Sequence, residues 1–281
     1  MSQILKGNVV AAKLKEEMKE RIAKLNENGK QPKLGIVRLG NDPSDVSYEK
    51  SIIKNCDALG IETEVFEKDA NMTTDELADF ISELNDNDSI SAMIMFRPLP
   101  KHIDEEVIRN TIKPSKDVDC MHPLNLEKIF EGDMSGFAPA TPKAAMEILL
   151  YNNIDLEGKN VVVINRSMVV GKPLAMMLLE KNATVTICHS RTKDLKEITK
   201  MADIVIPALG KPKFFTMDYF TEESIIIDVG VSMTEDGKLS GDVDYENVAD
   251  KVKMITPVPG GVGSVTTTIL LNQVVYACEN N

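Results

Sequence analysis

The spacing of apolar residues predicts alternating helices and strands through the first half of the chain. Near the N-terminus Val10, Leu14, Met18, Ile22 and Leu25 recur at helical spacing, with charged residues between them. Shorter apolar runs, bounded by glycine, proline or capping residues, predict strands. The expected helices cover about 9–28, 46–59 and 73–86, and the expected strands cover about 33–40 and 62–66. The segment 91–100 is expected to be a strand that runs into a proline-bounded loop.

The second half shows a cleaner alternation of short, continuous apolar runs with helical segments. Such runs are typical of strands in a parallel sheet that is covered by helices on both faces. The expected strands are 160–165, 184–188, 203–209 and 224–230, and the expected helices are 172–181, 193–201 and a final one over 266–280. This half therefore predicts a doubly wound, nucleotide-binding α/β domain. The periodicity breaks over 136–142, where we expect the domain boundary.

The 281-residue chain is acidic, with 32 Lys and Arg against 44 Asp and Glu and a net charge of −12. Its length suggests two domains or one large α/β unit. Nucleic acids and anionic membranes attract basic surfaces, so we expect neither as a partner. Four scattered cysteines and three histidines lack the spacing of a metal site, so no metal is expected. The sequence shows neither a signal peptide nor a membrane-spanning stretch, which favours a cytoplasmic protein.

The segment 161–178 joins a predicted strand to a predicted helix through a polar turn. Gly171, Lys172 and Pro173 open that helix, and proline suits a first turn because its missing N–H is not needed there. A helix N-terminus attracts anions, so this turn is a candidate site for a dinucleotide pyrophosphate. The usual G-x-G-x-x-G pattern is absent, and a plain strand-to-helix turn remains the alternative.

The next predicted strand ends in the sequence Cys-His-Ser-Arg-Thr-Lys-Asp, 188–194. NAD-specific folds commonly carry an acidic residue at this point for the ribose hydroxyls, whereas this chain has Ser190 and Arg191. A hydroxyl and a guanidinium suit a 2′-phosphate, which favours NADP over NAD. The alternative is that Arg191 is simply solvated, and NAD stays possible.

Five motifs occur in one order: KDVDCMHPLN (116–125), PATP (139–142), VINRSMVVGKP (163–173), CHSRT (188–192) and ITPVPGGVG (255–263). Together they resemble the methylenetetrahydrofolate dehydrogenase/cyclohydrolase family, and the resemblance runs nearly end to end. It implies a homodimer of two-domain α/β chains, in which a folate domain and a Rossmann-like, doubly wound NADP-binding domain flank a cleft. The implied bounds are 1–139 with 266–281 for the folate domain and 140–265 for the other.

The resemblance also implies roles for individual residues. The substrates would be one-carbon derivatives of tetrahydrofolate, and the dehydrogenase would transfer a hydride from the methylene compound to NADP. Tyr48 would orient the folate, and Asp119 would bind the pterin, whose N–H donors suit a carboxylate. The remaining folate-binding positions are Pro98, Leu99, Pro259, Gly260 and Gly261, and the cofactor-binding positions are Asn165, Arg166, Ser167, Gly171, Ser190, Arg191, Gly210 and Val231.

Two departures from the family pattern concern the cyclohydrolase reaction. The family's Tyr-x-x-x-Lys ends here in Ile52, and the glutamine of its Gln-Leu-Pro-Leu is Phe96. On a helix that turns about 100° per residue, Lys50 and Lys54 each lie about 200° from position 52 and cannot easily replace the lysine. Asn165, where the family usually has glycine, is a milder departure.

The two reactions make different demands on the protein. Hydride transfer chiefly needs donor and acceptor carbons held close together. Hydrolysis of the methenyl compound moves protons and needs a positioned acid or base, which Ile52 and Phe96 cannot supply. The sequence therefore predicts a dehydrogenase whose cyclohydrolase activity is lost or very weak. The alternatives are a bifunctional enzyme, with Lys50, Lys54 or Arg97 reaching the pocket, and a catalytically silent folate- or nucleotide-binding paralogue.

Overall fold

The computed structural model describes residues 2–281. The helices are α1 (Gly7–Glu27), α2 (Pro43–Asp57), α3 (Thr74–Asp86), α4 (Glu105–Thr111), α5 (Pro123–Glu131), α6 (Ala140–Tyr151), α7 (Gly171–Glu180), α8 (Leu195–Lys200), α9 (Tyr245–Val248) and α10 (Gly263–Asn280). The strands are β1 (Gln3–Ile4), β2 (Lys33–Leu39), β3 (Glu62–Lys68), β4 (Ala92–Met95), β5 (Asn160–Ile164), β6 (Thr184–Cys188), β7 (Ile204–Pro207), β8 (Ile225–Ile226), β9 (Ser232–Met233), β10 (Leu239–Ser240) and β11 (Met254–Ile255). Within residues 2–281, no helix combines the length and apolarity needed to cross a membrane.

The chain divides into two compact units, and this division differs from the expected domain bounds at the N-terminus. One unit contains the residues through Lys13 together with Pro139–Ile269, and the other contains Leu14–Ala138 with Leu270–Asn281. The N-terminal residues join the 139–269 unit because β1 pairs in parallel with β11. Gly7 reinforces this placement, since its N–H donates to the carbonyl of Gly260 at 2.8 Å.

The 139–269 unit is built on a six-stranded sheet in the order β1-β11-β8-β7-β5-β6, whose pairs are all parallel. The chain leaves β5 for β6 on one side and then returns to β7 on the other. This reversal is the switch point at which doubly wound sheets bind ligands. The predicted doubly wound domain is therefore confirmed.

β8 is much shorter than the strand predicted over 224–230. Its pairing with β11 covers Ile225 and Ile226 only. Two residues further on, the backbone N–H of Asp228 donates to the hydroxyl of Thr256 at 2.8 Å instead of to a backbone carbonyl. On the β11 side a side chain thus replaces the backbone acceptor, whereas on the β7 side the N–H groups of Ile227 and Val229 still donate to the carbonyls of Val205 and Pro207.

The other unit carries a parallel three-stranded sheet in the order β3-β2-β4. α3 begins directly after Thr73, which caps it, because the Thr73 hydroxyl and the Glu76 carboxylate form a capping box. α2 begins at Pro43, three residues before the predicted start, because Asp42 caps it. α4, α5 and α6 were not predicted, and each of them follows a proline-containing or loop-like stretch of sequence.

Candidate functional site

α2 carries the first predicted folate-site residues. Tyr48 is 44% exposed, whereas Ile52, one turn further on, is fully buried. Lys50 and Lys54 are exposed, as the helical geometry predicts. The family's lysine position therefore points into the protein interior, and the two neighbouring lysines point into solvent.

The end of β4 lies against this face of α2. The Phe96 ring is 5.4 Å from the Tyr48 ring, centroid to centroid, and is only 7% exposed. Phe96 and Ile52 belong to one apolar cluster, which also contains Leu271 and Val274 of α10. The two positions at which the family has lysine and glutamine are thus parts of a continuous hydrophobic core.

Arg97 and Asp119 form an ion pair beside this core. One guanidinium nitrogen of Arg97 donates to Asp119 Oδ2 at 2.9 Å, and the other lies 3.9 Å from a carboxylate oxygen of Glu105. Burial raises the pKa of Asp119, and the charge of Arg97 opposes that rise. Burial also raises the pKa of Tyr48, and the nearby Asp119 adds to that rise. The structure therefore brings Tyr48, Phe96, Arg97 and Asp119 together.

The loop that carries Asp119 is held by a carboxylate that the sequence did not single out. Asp117 is buried and accepts hydrogen bonds from the backbone N–H of Met121 at 3.0 Å and of His122 at 2.7 Å, and from the Asn125 amide at 3.0 Å. These bonds fix the turn after Asp119. On the other side of β4, Pro98 follows a cis peptide bond and Leu99 packs against a second apolar cluster.

Pro259, Gly260 and Gly261 belong to the 139–269 unit, unlike the other predicted folate-binding residues. Contacts inside that unit explain both glycines. A Cβ on Gly261 would lie 2.3 Å from the carbonyl oxygen of Pro257, and Gly260 has a φ of +100°. The geometry of this turn therefore accounts for the two glycines without any ligand.

The turn after β5 is organised by the side chain of Asn165. Its Oδ1 accepts from the backbone N–H of Ser167 at 2.7 Å and of Gly171 at 3.2 Å, and its Nδ2 donates to the carbonyl of Ala208 at 2.6 Å. Asn165 thus links the carboxyl end of β5 to that of β7, across the switch point. A Cβ on Gly171 would lie 2.0 Å from the Asn165 carbonyl oxygen, so only glycine allows this turn.

The start of α7 is less open to anions than the sequence predicts. The N–H of Gly171 is bound to Asn165, the N–H of Lys172 donates to the carbonyl of Ser167 at 3.1 Å, and Pro173 has no N–H. The first three positions of the helix therefore offer no free backbone donor. The Lys172 side chain is exposed beside them and supplies a positive charge.

Side chains at the carboxyl ends of β5 and β6 form an exposed polar edge. Ile164 and Cys188 are register partners, so Arg166 and Ser190 each stand two residues past a paired position. Arg166, Ser190 and Arg191 all retain solvent exposure. His189 shapes their turn, because its Nδ1 accepts from the Arg191 N–H at 3.1 Å. The edge carries cations and a hydroxyl, as the sequence predicts.

A cavity of about 370 Å³ lies at the ends of β7 and β8. Its lining includes Val170, Gly210, Val231 and Val262. Gly210 and Val231, both predicted to contact the cofactor, thus share one cavity. Its size and its mixture of small and apolar residues suit one ring of a ligand.

Two buried aspartates shape the loops around this cavity, and the sequence did not identify them. Asp242 accepts from the backbone N–H groups of Leu209, Gly210 and Lys211. Asp228 accepts from the N–H groups of Gly230, Asp242 and Val243 at 2.9–3.2 Å. Burial, with the nearby Asp242, raises the pKa of Asp228 to about 7. Most of these partners are distant in sequence, so no local pattern marks the two aspartates.

No group of three or more His, Cys, Asp or Glu side chains that could hold a metal ion occurs in the described part of the chain, residues 2–281. A doubly wound sheet with a polar edge and a cavity at its switch point defines a dinucleotide-binding α/β protein. Comparison with known proteins narrows this class.

Two family models match the chain. Residues 5–119 match the tetrahydrofolate dehydrogenase/cyclohydrolase catalytic domain, and residues 139–281 match the NAD(P)-binding domain of the same family. The chain belongs to the tetrahydrofolate dehydrogenase/cyclohydrolase family. A curated relative, the bifunctional protein FolD of Clostridium botulinum, is 57% identical over 281 residues and is covered completely, as is this chain.

Solved structures agree with this assignment. Bifunctional FolD of Campylobacter jejuni is 41% identical, with a TM-score of 0.96 over 100% of this chain and 99% of that one. The Trypanosoma brucei enzyme, complexed with NADP and an inhibitor, is 31% identical, with a TM-score of 0.90 over 99% of this chain and 98% of that one. The predicted family is confirmed.

Proposed function

We propose that this protein is an NADP-dependent 5,10-methylenetetrahydrofolate dehydrogenase with little or no cyclohydrolase activity. It would transfer a hydride from the methylene carbon of the folate to NADP and yield 5,10-methenyltetrahydrofolate. Membership of the family supports the dehydrogenase reaction. The observation that carries the loss of the second reaction is the buried apolar pair of Ile52 and Phe96.

The cofactor site fits a phosphorylated dinucleotide. The exposed Arg191, with Ser190 beside it, would bind the 2′-phosphate through charge-assisted hydrogen bonds. Asn165, Ser167 and Gly171 would hold the turn in shape, and Arg166 would approach the phosphates.

The nicotinamide end would lie in the cavity that contains Gly210 and Val231. NADP supplies the hydride acceptor when it is bound. The T. brucei relative is named as a complex with NADP, which supports this cofactor, and NAD is the alternative.

The folate site would use the polar group beside β4. Asp119 would accept hydrogen bonds from the aminopyrimidine N–H donors of the pterin, and Tyr48 would stack on or orient the ring. Pro98 and Leu99 would line a further wall of this site. The protein's task in hydride transfer is to hold the two carbons in a reactive geometry, and that task requires no proton-transferring side chain.

The apolar surroundings of Ile52 support the loss of hydrolysis. Water attack on the methenyl carbon opens a ring and moves protons, which a positioned polar group accelerates. Ile52 is fully buried, Phe96 packs near Tyr48, and Lys50 and Lys54 face solvent.

A bifunctional enzyme is the second candidate, because the C. botulinum and C. jejuni relatives are both named bifunctional. Another cationic side chain would then have to take the place of the missing lysine in the hydrolysis reaction. Arg97 lies in the right region, but its guanidinium is bound to Asp119 at 2.9 Å. Lys50 and Lys54 would have to turn away from solvent.

We also propose that the protein acts in the cytoplasm as a homodimer, as the family resemblance implies. The β9–β10 hairpin leaves the apolar side chains of Met233 and Leu239 largely exposed, which supports a protein contact on that side. Gel filtration with light scattering would measure the mass directly.

Two assays on one purified sample test the proposed reactions. The first follows NADPH production from methylenetetrahydrofolate by fluorescence, with NAD in a parallel reaction. No turnover with either cofactor would favour the silent paralogue. The second follows the loss of methenyltetrahydrofolate absorbance without cofactor. Hydrolysis at rates comparable to the dehydrogenase would establish the bifunctional candidate, whereas the buffer rate is the expected result.

A further inference from the structure

Arg97 is a charged side chain in the folate region to which the proposed function gives no task. It follows the buried Phe96 directly, and its side chain is 29% exposed. The guanidinium reaches Asp119 Oδ2 at 2.9 Å and stands 3.9 Å from Glu105. An arginine that bridges two carboxylates has a fixed orientation, because its planar fork carries directed donors.

The Arg97 bond occupies only part of the Asp119 carboxylate. An ionised carboxylate offers about four lone-pair sites on two oxygens, and Arg97 takes one of those on Oδ2. The carboxylate therefore retains acceptor capacity for a ligand that brings two adjacent N–H donors, such as a 2-aminopyrimidinone ring.

The charge of Asp119 depends on Arg97. The Asp119 carboxyl is close to Tyr48. Its burial and the negative charge of Asp117 both disfavour its ionised form. Arg97 is the cation that opposes them, while Glu105 faces Arg97 from α4. A protonated Asp119 would lose acceptor capacity and would bind an aminopyrimidine less well.

We propose that Arg97 is a positioning residue of the folate site, whose hydrogen bond orients the Asp119 carboxylate so that it can bind the aminopyrimidine edge of the pterin. This inference rests on the proposed folate binding. It also argues against Arg97 as a substitute for the missing lysine, since one guanidinium nitrogen donates to Asp119 and the other lies 3.9 Å from Glu105.

The test is the binding of folic acid, which carries the same aminopyrimidine edge, measured by calorimetry between pH 5 and pH 8. In Arg97→Leu we expect the Kd at pH 7.5 to rise roughly fivefold, as for a partly exposed ion pair. Because the opposing cation is gone, the pKa of Asp119 should rise, so that as the pH falls binding should weaken at a higher pH than in the wild type. Arg97→Lys, which keeps the charge, should retain most of the wild-type pH dependence.

A double-mutant cycle with Asp119→Asn separates this role from a general loss of structure. If Arg97 acts through Asp119, Arg97→Leu should have little further effect in the Asp119→Asn background. NADP affinity, measured on each variant, should stay at the wild-type value, which would indicate that the 139–269 unit is intact.

Unchanged folic acid binding and pH dependence in Arg97→Leu would overturn the proposal, as would a full additional loss in the Asp119→Asn background. Dehydrogenase turnover by the wild-type enzyme is measured separately. An active wild type with an unaffected Arg97→Leu variant refutes only the role of Arg97, whereas an inactive wild type that binds no folic acid refutes the proposed function.

Discussion

Restoring the family's polar pair should give this protein the cyclohydrolase activity that we propose it has lost. The perturbation is the double substitution Ile52→Lys with Phe96→Gln. Both positions lie in one apolar cluster, so the new amine and the new amide would have few polar partners other than each other. Ile52→Met is the matched control, because it keeps a side chain of similar volume without an amine.

The cost of the change can be worked out from the burial of position 52. Ile52 is fully buried, so a lysine there would be desolvated and its pKa would fall well below its ordinary value. If the lysine pKa falls by about three units, to near 7, the free energy of unfolding falls by about 4 kcal/mol, at about 1.36 kcal/mol per unit. This is a large part of the ~5–15 kcal/mol that stabilises a typical domain. The amide introduced by Phe96→Gln should recover a fraction of it by accepting a hydrogen bond from the amine.

The same lowered pKa makes the lysine useful as an acid or base near pH 7. General acid–base groups typically contribute ~10²–10⁴-fold, so we expect hydrolysis of methenyltetrahydrofolate at about 10² times the buffer rate. Absorbance measures the hydrolysis, and urea unfolding followed by circular dichroism measures the stability. Equal hydrolysis by the Lys/Gln variant and by Ile52→Met, with the dehydrogenase still active in both, would refute the reasoning.

Three further predictions concern the 139–269 unit. Asn165→Ala should lower the free energy of unfolding by about 2 kcal/mol, because three partly buried hydrogen bonds are lost; an unchanged urea midpoint would contradict this. Arg191→Ala should raise the KM for NADP about tenfold and leave that for NAD nearly unchanged, since only NADP has the 2′-phosphate; equal effects on both cofactors would exclude a contact with that phosphate. Asp228, with a pKa of about 7 in the folded protein and about 3.9 unfolded, should stabilise the fold most below about pH 4 and lose that contribution as the pH rises through 7. The urea midpoint of the wild type minus that of Asp228→Asn should therefore be larger at pH 5 than at pH 8, and a difference that does not change with pH would show that Asp228 does not titrate in this range.

The long elements could be predicted from the sequence because their signals are local. The helix after Thr73 has both a capping box and an apolar stripe, and β6 is a short run of β-branched and apolar residues between polar ones. β1, β8 and β11 are only two residues long. Strands this short have no periodicity, and β1 pairs with a segment about 250 positions away. The placement of the N-terminus depends on that pairing, so the sequence could not predict it.

The candidate site divides in the same way. The sequence predicted the cofactor turn from the local order of strand, polar turn and helix. It could not predict that the Asn165 side chain would bond to the start of α7 and to Ala208, 43 positions further on. Asp242 likewise holds a loop about 30 positions before it, and Arg97 meets Asp119 across 22 positions. Which polar groups pair in a folded chain depends on tertiary contacts, and a single sequence does not record them.

In the proposed site, folate binding and proton transfer would depend on different residues. Asp119, Arg97 and Tyr48 form a polar, partly exposed group near the end of β4, where we propose that the pterin binds. Ile52 and Phe96 belong to the buried apolar cluster beside this group, and a polar residue restored at only one of the two positions would be buried without its partner. The residues allowed at the two positions are therefore linked, because an apolar side chain at one position makes a polar residue at the other lower the stability of the fold. The proposed loss of hydrolysis with retention of folate binding would follow from this arrangement, because neither Ile52 nor Phe96 requires the polar group around Asp119 to move.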